Sequence, residues 1–167
     1  ILDACHPQRA FTQQEIIMIH LASMFLHQSV LITGGLGFIG SNLAYKLLGF
    51  GAKVTVVDNL DPDSGGNPFN VEEIKDDIQV IQADINDEAQ MKRAVKGQKY
   101  LFNLAGQMSH LGSMRDPFKD LNVNTIGQLR LLEVCRQNNP EIGIVFAGTR
   151  QVYGRPKYLP VDENHLL

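Results

Sequence analysis

The stretch "TGGLGFIGSN" (residues 33–42) decides how this chain is read. A short apolar, β-rich run, "SVLIT" (29–33), leads into it, and an amphipathic stretch over 38–48 leads away. Gly34, Gly37 and Gly40 lie three apart, and Gly35, Gly37 and Gly40 satisfy G-x-G-x-x-G. Glycines in a strand-to-helix turn allow a tight bend and let the backbone approach a pyrophosphate closely. The helix that follows offers free amides and the positive end of its dipole to the phosphates. Glycines alone signal only a tight turn; the strand before and the helix after them make this a dinucleotide fingerprint. Gly34, Gly37, Phe38, Ile39 and Gly40 are therefore candidate cofactor-binding residues.

The pattern continues outward. "KVTVV" (53–57), "IQVIQ" (78–82), "KYLFNLA" (99–105) and "IGIVFA" (142–147) read as four further strands. Between the later ones, "NDEAQMKRAV" reads as a helix capped by Asn86, and 118–138 as a long helix with Leu121, Ile126, Leu129, Leu132 and Val134 at roughly helical spacing. Val- and Ile-rich strands separated by helices predict an α/β fold, a Rossmann-type doubly wound parallel sheet covered on both faces. The second strand ends in Asp58, at the distance expected of the acid that accepts hydrogen bonds from the adenosine ribose and repels a 2′-phosphate. Asn59 follows it, and no Arg or Lys comes before Lys75, which favours NAD over NADP. The competing reading makes Asp58 the start of a polar turn. Asp84 and Ile85 are placed to reach the adenine, although Asp84 also reads as a helix cap.

Composition bounds the rest. With 167 residues, 44% apolar and 20% charged, the chain fits one soluble globular domain. A net charge of −3 gives no basic footprint for nucleic acid or an anionic membrane. Two cysteines, Cys5 and Cys135, make no disulfide framework and suit a reducing, cytoplasmic setting; Cys135 reads as a buried small apolar residue. No apolar run reaches the roughly 20 residues of a spanning helix. Residues 1–28 form a leader distinct from the domain at 29–167: "TQQE" (12–15) fits a capping box, and 16–26 a mostly apolar helix. Glu15, His20 and the lack of a small-x-small site before Gln28 argue against a signal peptide. Cys5, His6, His20 and His27 match no metal-site spacing; His20 and His27 are expected on one helix face. His110 and Arg115 fall in the loop after the fourth strand, where solvated loop residues are the plain reading and contact with an entering sugar the functional one.

The segments "TGGLGFIG", "DNL" (58–60), "ADI" (83–85), "NLAG" (103–106), "NVNTIGQLRLLE" (122–133) and "FAGTRQVYG" (146–154) stand in the order seen in the extended short-chain dehydrogenase/reductase family. The chain resembles that family from Val30 onward, particularly its NAD-dependent nucleotide-sugar epimerases and dehydratases. The resemblance implies that Leu104, Ala105 and Gly106 line the cofactor and that Asn124 supports them from the long helix; without it, Asn124 reads equally as an exposed helix residue. It also implies that Thr149 is the catalytic Ser/Thr whose hydroxyl bonds the reacting sugar oxygen, that the substrate is a nucleotide sugar, and that the protein is a homodimer.

The resemblance further implies a Tyr-x-x-x-Lys pair, the Tyr as general base and the Lys lowering its pKa. "YGRPK" (153–157) has the spacing but not the helix: Gly154 and Pro156 keep Tyr153 and Lys157 off a shared helical face. The working pair is expected beyond Leu167, so the chain reads as truncated before the catalytic helix and substrate lobe, and inactive alone. Thr149-Arg150-Gln151 lacks the acids that dehydratases of the family carry, which favours a UDP-glucose 4-epimerase-like reaction over dehydration, with decarboxylation the nearer rival and a non-catalytic NAD-binding module the other. Asn103 and Met108 depart from residues common in epimerases and leave the sugar open.

Overall fold

The computed structural model describes residues 12–166. Helix α1 (Gln13–Phe25) opens on the expected capping box: Thr12 Oγ1 accepts from Glu15 N at 3.2 Å while Glu15 Oε2 accepts from Thr12 N at 2.8 Å. No residue of α1 is fully buried. Its last residue anchors it, for the Phe25 ring stacks on Phe50 and meets Tyr100 edge-on with centroids 5.2 Å apart. His27 lies past the end of α1 at φ 61°, its N–H bonded to Gly51 O, so His20 and His27 share no helix face, contrary to expectation. Cys5 and His6 lie outside the described residues.

Five strands, β1 (Ser29–Thr33), β2 (Lys53–Asp58), β3 (Gln79–Gln82), β4 (Tyr100–Asn103) and β5 (Gly143–Phe146), form one parallel sheet in the order β3-β2-β1-β4-β5. Alternation along the strands divides the core between two faces. Val30, Ile32, Val54 and Val56 pack with Ala44 and Leu47 of α2 (Phe38–Gly49). Leu31, Val57 and Leu101 pack with Met91 and Val95 of α3 (Glu88–Val95) and with Leu131, Val134 and Cys135 of α6 (Gln128–Asn138). The sheet is thus wound on both faces as expected. From β1 the chain builds one way through β2 and β3, then crosses to β4 and β5, and the crevice at such a reversal is where open α/β sheets bind ligands.

Three expectations change. Asp87, not Asn86, caps α3 by accepting from Gln90 N, because the Asn86 amide is already bonded to Asp84 Oδ1 at 2.8 Å. His110 and Arg115 sit in a short helix, α4 (His110–Arg115), capped by Ser109. The long helix is α5 (Pro117–Leu121), a π-helical segment over Asn122–Gly127, and then α6. Of the five apolar residues read on it only Val134 is buried. Leu121, Ile126, Leu129 and Leu132 are exposed, because the stripe facing α3 is Gly127, Leu131, Val134 and Cys135. Burial pushes the Cys135 thiol pKa up.

Candidate functional site

The turn after β1 is built by backbone approach. Gly34 has φ +67°, and a Cβ there would stand 3.0 Å from the Leu104 carbonyl and the Ala105 amide. A Cβ on Gly40 would reach within 2.3 Å of Gly34 O, so the first turn of α2 presses directly on the glycine turn. Gly37 is the N-cap of α2 and makes no side-chain cap bond, which leaves the first-turn amides turned outward. Phe38 and Ile39 belong to that first turn, and their side chains are exposed and do not line the cleft.

Asp58 closes the turn from β2. Its Oδ2 accepts from Leu36 N at 3.1 Å and its Oδ1 from Leu60 N at 2.9 Å. Leu36 O in turn accepts from Asn67 N and Asn70 Nδ2, which ties the loop after β2 to the glycine turn. A carboxylate has about four acceptor positions, so Asp58 keeps capacity for two more donors. Asn59 Nδ2 bonds Asp84 Oδ2 at 2.8 Å. Burial pushes the Asp84 pKa up, but bonds from the Asn86 amide, Asn59 and the Asn86 side chain outweigh it and hold the group below its ordinary value. Asp84 is therefore the acceptor of a local turn rather than the cap of α3.

The fourth wall is the turn after β4, held by residues that local sequence reasoning passed over. Thr33 Oγ1 donates to Asn103 Oδ1 at 2.9 Å and accepts from the Leu104 and Ala105 amides. Asn103 Nδ2 bonds Gln128 Oε1, and Gln128 Nε2 bonds Ala105 O. Asn103, noted only as a departure from the epimerase pattern, is thus a buried strut between β1 and α6. Asn124 accepts from Gln107 N at 2.9 Å and donates to Gln107 O at 2.8 Å, gripping the end of the turn from the π-helical segment. A π-bulge often marks such sites.

These pieces line one open cleft, with a cavity volume of about 100 Å³. Gly34, Gly37, Asp58, Asn59, Asp84, Ile85, Leu104, Ala105 and Gly106 all line it. Asp61, Ser64, Gly65, Gly66, Gln107, Met108 and Val123 line it too and were not singled out as binding residues beforehand. Gly40 and Asn124 stand behind it and shape it. Thr149 lies beyond β5 and caps a short 3₁₀ turn (Arg150–Tyr153), its hydroxyl accepting from Gln151 N. Gly154 at φ +58° ends that turn. The Tyr153 ring meets His165 edge-on at 5.7 Å, and the Lys157 backbone N–H donates to His165 Nε2, so Tyr153 and Lys157 share no helix.

Residues 31–167 match the family model described as GDP-mannose 4,6 dehydratase. The chain belongs to the extended short-chain dehydrogenase/reductase family of nucleotide-sugar epimerases and dehydratases. Within that family it is 32% identical over 147 residues to UDP-glucose 4-epimerase of Bos taurus, covering 83% of this chain and 42% of that protein. It is similar to the solved structure of an epimerase from Methanothermobacter thermautotrophicus (TM-score 0.79, 31% identity, 93% of this chain and 45% of that one). It is also similar to UDP-glucose 4-epimerase of Bifidobacterium longum in complex with NAD+ and UDP (TM-score 0.72, 31% identity, 82% and 42%). The chain spans about two fifths of the length of the curated family members it matches. Among the described residues no helix is long and apolar enough to cross a membrane, and no group of three or more His, Cys, Asp or Glu could hold a metal ion.

Proposed function

We propose that residues 29–167 are the NAD-holding domain of a nucleotide-sugar epimerase of the UDP-glucose 4-epimerase type, with residues 1–28 a leader that precedes it. The observation that carries the reading is the Asp58 carboxylate, fixed by two backbone amides beside a glycine turn that a single Cβ would fill. The residues fit the dinucleotide in kind. Amides at the start of α2 suit the pyrophosphate, the spare acceptor positions of Asp58 suit the ribose hydroxyls, and Asp84 and Ile85 flank the adenine end. Bound NAD would supply the acceptor and donor of hydride.

The chain's own part is to hold and orient. Leu104 and Ala105 are held through Thr33, Asn103 and Gln128, which restrains the wall facing the dinucleotide. Thr149 follows β5 on the same carboxyl edge of the parallel sheet, where its hydroxyl is offered to the reacting sugar oxygen. Tyr153 and Lys157 do not form the proton-transferring pair, and the 167-residue chain by itself turns over UDP-sugars negligibly. The homodimer and the cytoplasmic setting belong to the same reading.

Calorimetric titration with NAD and NADP tests it. One NAD per chain is expected, with NADP at least about tenfold weaker, a difference of 1.4 kcal/mol, and Asp58→Ala is expected to remove the preference. Equal affinity for both, or binding unaffected by Asp58→Ala, would contradict it. Turnover that survives Thr149→Ala combined with Tyr153→Phe would show that the catalytic assignment is wrong.

A further inference from the structure

Lys119, on α5, bonds the loop after β2. Its Nζ stands 2.8 Å from Asp61 Oδ2, 3.1 Å from Asp61 Oδ1 and 2.9 Å from Asp63 Oδ2. Asp61 lines the cleft, and so does Val123, one helical turn beyond Lys119, so the ion pair joins two segments that both border it. The Asp61 side chain is only 15% exposed and that of Lys119 31%, against 77% for Asp63. Local capping holds each end: Asp63 N donates to Asp61 Oδ1, and Asp116 caps α5 through Lys119 N. Nothing in the local pattern of either segment requires the other, since they lie 58 and 56 residues apart.

Resting on the NAD reading of the cleft, we propose that Lys119 is a cofactor-retention residue, a strap that ties the ribose-side loop to α5 and must open before the dinucleotide leaves. The strap touches no reacting atom, so it governs dissociation and leaves the chemistry alone. The paired charges act together. Bonds from Lys119 and then from the Asp63 amide hold the Asp61 carboxyl below its ordinary pKa, and the same two carboxylates raise the Lys119 ammonium. A partly buried, doubly bonded ammonium resists salt more than an exposed pair does, but its opening still speeds with ionic strength.

The test is the release rate of NADH from this chain, followed by its fluorescence after chase with excess NAD. Lys119→Met is expected to release NADH about tenfold faster and to lose the salt dependence of release. Lys119→Arg is expected to restore slow release, and Asp63→Asn, which lies outside the cleft, to fall between. A purely structural role would lower cofactor-free stability equally in all variants and leave salt dependence intact. If wild-type chain holds NADH and Lys119→Met releases it at the wild-type rate, the strap is refuted while the NAD reading stands. If wild-type chain binds no dinucleotide, both are refuted. Should Lys119→Met fail to fold, Asp63→Asn decides alone: release at the wild-type rate refutes the strap.

Discussion

Two loops leave the same edge of this sheet under opposite constraints. The turn after β1 sits between two buried strands and is pinned from every side: by Gly40 behind it, by Asp58 from β2 and by the Leu104 turn in front. The segment after β5 leaves an edge strand whose residues Ile144, Val145 and Phe146 are exposed, and Thr149 in it bonds only its own turn. The difference shows where function can be argued from physics in this chain. The cofactor site proposed here rests on close backbone approaches that a Cβ on Gly34 or Gly40 would disturb. The catalytic role proposed for Thr149 rests on family resemblance and on its place along the sheet.

That contrast can be broken by substitution. The largest effect is expected in the buried strands: Leu31→Ala, fully buried between α3 and α6, should cost about 2–5 kcal/mol, whereas Val145→Ala on β5 should stay within about 0.5 kcal/mol, both read by urea unfolding. Equal losses would show that β5 is covered in solution. Next comes Gly40→Ala, whose methyl would meet Gly34 O. About 1–3 kcal/mol of stability and about tenfold in NAD affinity should go together, because the same turn supplies both.

Much of this was legible in the sequence because the signals are local. The glycine spacing and the Thr12–Glu15 box each declare themselves within a few residues, and they fall in the strand-to-helix turn and at the start of α1 as read. Asp58 ends β2 as read, and its bond from Leu60 N also starts the polar turn of the competing reading. What escaped was settled at long range or by competition. The cap of α3 moved to Asp87 because Asp84 had already taken the Asn86 amide. Gln128 and Asn103 became struts because α6 and β4 meet in space, and Lys119 found Asp61 across 58 residues. The long helix carries two apolar stripes, and no periodicity says which one faces the sheet.

Smaller effects sharpen the picture. Asp61 and Asp84 both have pKa values lowered from the ordinary 3.8, Asp61 by Lys119 and the Asp63 amide, Asp84 by the Asn59 and Asn86 bonds that overcome its burial. Below about pH 4 the unfolded chain binds the more protons, so stability rises with pH there. The contribution is whole above the ordinary value and is lost as pH falls through the lowered folded values. Urea unfolding at about pH 5 and about pH 3 should show a smaller drop in Asp84→Asn than in the wild type. An identical drop would mean that the Asp84 bonds do not persist in solution. Thr149→Ala should change least, with NAD affinity within about twofold and stability within about 0.5 kcal/mol, since it removes one exposed cap bond.

The most direct test is a crystal structure of this chain grown with NAD. The expected result places the pyrophosphate against the amides at the start of α2, between Gly34 and Ile39, with both adenosine ribose hydroxyls on Asp58 and the Leu36 and Leu60 bonds to that carboxylate kept. A dinucleotide bound elsewhere, or a ribose that leaves Asp58 to its two backbone partners alone, would contradict the assignment of this cleft.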